Sequence, residues 1–139
     1  MIAGTLLIYD NFKLPENIQC KKILVVLNDG SVGYYIIVKT ISKAIRKNLN
    51  YGCQTQARYP RFFLSKHSCG LEKDVWVGLD EFFEFTACEL LARRFSGDIK
   101  TIGVLPETVV KELLKCAISC DDILTGQLEI LTAQLSRLA

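Results

Sequence analysis

The sequence predicts a mainly β fold with helices added (α+β): an antiparallel sheet curled into a compact barrel, followed by C-terminal helices. Three observations predict it. Up to about residue 85 the chain is a series of short β-patterned runs broken by turns. After about residue 106 its apolar residues recur at three- and four-residue steps instead. The β-patterned runs also lie close in sequence, and short connections join antiparallel neighbours, whereas parallel ones need long crossovers.

The opening run "GTLLIYDNF" reads as a strand, and "KKILVVLNDG" as a second, continuously apolar one stopped by Asn28, Asp29 and Gly30. "YYIIVKTI" is the third. The following "SKAIRKNLNYGCQTQA" is either a short helix or an irregular loop. "YPRFFLS" is a fourth strand, and Pro60 suits it to an edge; "DVWVGLD", around the single Trp76, is a fifth. In "FTACELLARRF" Thr86 is followed three residues on by Glu89, the pattern of a capping box, so a short helix is expected. "GDIKTIGVL" reads as the final strand.

Pro106 suits the first turn of a helix whose apolar face is Val109, Val110, Leu113, Leu114, Ala117 and Ile118, expected to cover one opening of the barrel. Beyond it, Asp121 or Asp122 is placed to cap a helix with Leu124, Leu128, Leu131, Leu135 and Leu138 at 4-3-4-3 spacing. So short a leucine seam cannot stand alone. Its partner is its own domain, a twin chain or a different protein. Gly126 weakens this helix by about 1 kcal/mol, which packing must offset.

With 139 residues, half of them hydrophobic, the chain suits one domain with its own core. The longest apolar runs, "ILVVL" and "YYIIV", fall far short of the ~20 residues that a membrane helix needs. The start "MIAGTLLIYDNF" lacks a basic segment and a small-residue cleavage site, so a cytoplasmic protein without a membrane partner is expected. Six cysteines (Cys20, Cys53, Cys69, Cys88, Cys116, Cys120) form no C-x-x-C, and His67 is the single histidine. They are read as free thiols in a reducing cell, not as a disulfide framework or metal site. Cys116 and Cys120 would share a helix face but have no third ligand, and no cofactor is expected.

The net charge of +2 does not by itself mark a nucleic-acid binder. Its distribution is more telling. Lys39, Lys43, Arg46 and Lys47 come with no acid among them, and Arg58, Arg61 and Lys66 follow, while the acids gather at 72–89 and in the last third. Such a field suits a phosphate-bearing partner, with a solvated loop as the alternative.

Several stretches in order also resemble a known family. "AGTLLIYDNF" is similar to a first strand ending hydrophobic-Asp-x-Phe, and "KKILVVLND" to "RPALVLSND". "YYIIVKTIS" stands where an apolar strand ends in "PITS", and "RYPRFFL" resembles "RPYPFEVEL". "GLEKDVWVGLDEF" resembles "GLKKDSYVLLDQI", and "IGVLPETVVKELLKCAIS" resembles "IGRLSEEVLEEVLEALL". Together these resemble the MazF/PemK-type toxins over roughly residues 2 to 119. The resemblance implies a small, partly open barrel of the Src-homology type with its covering helix over 1–119; the leucine-seam helix, 120–139, follows it and packs on the domain or a partner. It implies a homodimeric endoribonuclease that cuts single-stranded RNA without a metal and is neutralised by an antitoxin protein.

That chemistry needs a base at the ribose 2′-hydroxyl, a cation at the phosphate and an acid for the leaving oxygen. Matched to the family, Lys21 replaces the "RP" arginine, keeping the charge but losing the planar fork. Ser42 is the matching hydroxyl, with Thr40 close by, and Asp80 matches the aspartate of "LDQ". His67, absent from the family pattern, is the one side chain whose type has an unperturbed pKa near neutrality. The catalytic candidates are therefore Lys21, Ser42, His67 and Asp80. The nucleic-acid-binding candidates are Lys39, Thr40, Lys43, Arg46, Lys47, Arg58 and Arg61. Each has a plainer reading: Lys21 as a solubilising flank, Asp80 as a cap, His67 as a surface residue; Trp76 is core or interface, or else a base-stacking platform. Gly78 and Phe83 fall where some relatives carry arginines, which leaves a second reading open: a non-cutting binding module of the same fold.

Overall fold

The computed structural model describes residues 1–13, 19–41, 52–54, 61–64, 71, 74–121 and 123–138. Its elements in chain order are β1 (Thr5–Lys13), β2 (Gln19–Val26), β3 (Tyr34–Ile41), β4 (Gly52–Gln54), β5 (Arg61–Leu64), β6 (Val75–Gly78), β7 (Phe83–Thr86), α1 (Ala87–Phe95), β8 (Ile99–Val104), α2 (Glu107–Ile118) and α3 (Thr125–Leu138). The α+β expectation holds. All described pairings are antiparallel, in the order β4-β5-β6-β3-β2-β1-β8, and β7 pairs with β3 off that path. The sheet is not closed. β3 divides its length between two partners: Tyr34 to Ile37 pair with β7, whereas Thr40 and Ile41 pair with β6. A strand shared in this way bends the sheet around itself, the form of a small, partly open barrel.

Alternation along the strands sends side chains to two separate cores. Leu6, Val25, Val38, Phe62, Leu64, Val75 and Val77 face α2 and α3, where Val110, Leu113, Leu114 and Leu131 meet them. Leu7, Tyr9, Leu24, Val26, Ile37 and Ile99 face the other way, onto Leu90 of α1. The capping box of α1 is complete: Glu89 N donates to Thr86 Oγ1 at 3.1 Å and Thr86 N donates to Glu89 Oε2 at 3.0 Å.

Several expectations are corrected. β5 is an interior strand despite Pro60 before it, because β4, drawn from the segment read as helix or loop, adds outside it. The acidic-aromatic stretch after Asp80 contains β7, which alternation alone did not separate from a turn. Pro106 takes the N-cap position of α2 with φ −56°, one place before the first turn. α3 begins at Thr125, so Asp121 is too early to cap it, and Asp122 lies outside the described residues. The side chain of Gln127 replaces the expected cap, its Oε1 accepting from Leu124 N at 3.1 Å.

The cysteine reading is overturned for two residues. Cys53 and Cys116 form a disulfide with Cα atoms 5.5 Å apart. The partners are 63 residues apart in sequence and meet because β4 lies against α2, an adjacency that cysteine spacing does not encode. Cys116 is thereby also unavailable to chelate a metal with Cys120, whose Sγ donates to the Cys116 carbonyl at 3.2 Å. Among the described residues no helix is long and apolar enough to cross a membrane.

Candidate nucleic-acid interface

β6 lies between β3 and β5, and its two faces differ in character. Val75 and Val77 point to the core beneath α2, so Trp76 and Gly78 point to the opposite face. Register adds the neighbours. On β5, Arg61 pairs with Gly78 and Phe63 with Trp76, so Arg61 and Phe63 share that opposite face. On β3, Ile36 and Val38 belong to the α2-side core and Ile37 to the other, so Lys39 falls on the face of Trp76.

Contacts on this face follow from the register. The Arg61 guanidinium lies 4.6 Å from the centroid of the Trp76 ring. Glycine at position 78, directly opposite Arg61, places no side chain between them. Phe63 supports the indole from the side, ring centroids 4.7 Å apart and planes tilted by 50°. Lys39 Nζ lies 3.6 Å from Glu81 Oε1, an ion pair longer than a hydrogen bond, in which the lysine is the more buried partner. Asp80 is half-buried and follows Leu79, which closes β6 into the core. Two cations thus flank β6, with two carboxylates just beyond its end.

Three polar atoms here are buried without a hydrogen-bond partner: Arg61 Nε, Trp76 Nε1 and Glu81 Oε1. Most buried polar groups in folded proteins are satisfied, so three such atoms within one small patch are unusual. The indole itself is only 2% exposed, with a guanidinium over its ring, so Trp76 is a platform for Arg61 and not an open surface for a base.

The other candidates divide clearly. Thr40 is buried, and its Oγ1 donates to the Ile23 carbonyl at 2.8 Å, so its hydroxyl is engaged inside the sheet. Lys21 takes a backbone place in β2, but its side chain lies outside the described residues, as do Ser42, Lys43, Arg46, Lys47, Arg58 and His67. Of the predicted set the structure puts Lys39 and Arg61 on the Trp76 face, with Asp80 two residues beyond the end of β6. It adds Trp76, Phe63 and Glu81, which sequence reasoning did not assign to the site. Their signal was the alternation in "RFFL" and "VWVG", legible only once these runs are known to be neighbours.

Among the described residues no cluster of three or more His, Cys, Asp or Glu could hold a metal ion. No protein-family model and no curated protein matches this chain.

Proposed function

We propose that this chain engages single-stranded RNA on the β3-β6-β5 face and cuts it without a metal, as a divergent relative of the MazF/PemK-type toxins that an antitoxin neutralises and that works as a homodimer. The observation that carries the reading is Arg61 laid over Trp76. The cation–π contact holds the Arg61 charge on this face, and a guanidinium held there is chemically matched to a phosphate or a base edge. Lys39 supplies a second positive charge one strand away, partly offset by Glu81 until a phosphate competes for it. Asp80 is the proposed acid for the leaving oxygen, with Lys21, Ser42 and His67 as its proposed companions.

A second reading, a binding module that does not cut, is favoured by a different observation. Gly78 carries no side chain, and Phe83 is packed against the core around Leu24 and Ile37, so neither supplies the cation that some relatives hold there. One experiment separates the two. Purified protein is incubated with a single-stranded RNA in EDTA, beside Asp80→Ala and Lys21→Ala, and expression of each is scored for growth arrest. Cleavage and arrest that the substitutions abolish support the nuclease; intact RNA with retained binding supports the module.

A further inference from the structure

We propose that the Cys53–Cys116 disulfide is a thiol-disulfide exchange site: a clasp that a dithiol reductant opens to release β4 from α2. The strand it holds is weakly held otherwise. β4 is three residues long, stands at the sheet edge and has β5 as its single sheet partner among the described strands. Beyond β5, its described attachment runs through α2 and through this bond. The bond also lies in an opening, a cleft of about 470 Å³ whose wall includes Cys53, Phe62, Glu112, Lys115, Cys116 and Ser119.

The two sulfurs are not equivalent. Cys53 is exposed and Cys116 is 2% exposed, so an incoming thiolate reaches Cys53 first. Its attack forms a mixed disulfide with Cys53 and breaks the bond to Cys116, which leaves as a thiolate and takes a proton from solvent. The second thiol of the reductant then attacks the mixed disulfide, releasing Cys53, and the dithiol departs oxidised. Two electrons and two protons pass to the protein. The reduced chain frees the outer edge of β5, the strand that carries Arg61. The inference does not depend on RNA being the ligand.

Hydrogen exchange read by mass spectrometry on the whole chain, oxidised and after dithiothreitol, tests this. Under native conditions the dithiol is expected to reduce the bond and to lower amide protection in β4 and β5 by about tenfold, while β1 and β2 keep theirs and reoxidation restores the pattern. Cys53→Ser is expected to show the reduced pattern without dithiol. The proposal is overturned if the bond resists until the chain unfolds, if reduction leaves β4 protection unchanged, or if protection collapses throughout.

Discussion

Arg61 illustrates how one residue is placed by two neighbouring strands. Its position opposite Gly78 gives the room, Trp76 the platform and Phe63 the support for that platform. Lysine would keep the charge but lose the planar, multi-donor guanidinium, so Arg61→Lys is expected to weaken single-stranded RNA binding by about 1 kcal/mol, roughly fivefold. Fluorescence anisotropy with a labelled RNA measures this directly. Gly30 is constrained differently: its φ is +76°, and a Cβ there would run into the ring of Tyr35, so the turn after β2 admits glycine and little else. Beside it, Asp29 accepts from Ser31 N at 3.0 Å and from Arg137 at 3.3 Å. The bond from the Ser31 amide, helped by the Arg137 charge and opposed by partial burial, holds the Asp29 carboxyl below its ordinary value. A depressed carboxyl stabilises the fold above its unfolded pKa, and that contribution is lost as pH falls through the lower folded value. Urea midpoints should therefore drop more steeply on acidification below about pH 4 for the wild type than for Asp29→Asn. Equal slopes would remove Asp29 from the account.

At the scale of elements, α3 bears out the leucine seam in part: Leu131 is buried and Leu135 and Leu138 pack against the same core. The leucine seam is legible, but the fully buried residues of α3 are Gln127, Leu131 and Gln134, a stripe turned partly off the seam, with Leu124 63% exposed. The two glutamines explain the rotation. Gln127 Nε2 donates to Glu84 on β7 at 2.8 Å, and Gln134 Oε1 accepts from Asp29 N at 3.0 Å, so polar anchors at both ends grip the sheet while Leu131 fills the core between them. Glutamines that are buried and satisfied look like solvent-facing residues in a sequence, because their partners lie far along the chain. Leu131→Ala should cost about 2–5 kcal/mol in chemical denaturation, since it opens a cavity under α3; a cost near zero would mean that α3 is not part of the folded core. The capping box of α1 was readable at full resolution because all its parts lie within four residues.

For the molecule as a whole, the class of fold and most strands were legible because alternation and turn residues are local signals. β1, β3, β6 and β8 follow directly from "TLLIY", "YYIIVKTI", "VWVG" and "IKTIGV". β4 and β7 were not, because short edge or bridging strands are defined by their partners more than by their own composition. The disulfide was missed for the same reason. Of the candidate site, charge type was legible in Lys39, Arg61 and Asp80, but the aromatic platform beneath Arg61 emerged only from register. The sole tryptophan gives one indole N–H resonance for the whole chain, from the atom that lies buried and unpartnered beside Arg61. Titrating isotope-labelled protein with single-stranded RNA in EDTA tests the central claim most directly. The account predicts a saturable shift of the Trp76 indole signal, weakened in Arg61→Lys; an indole signal that stays in place while RNA binds elsewhere, or no binding at all, would contradict it.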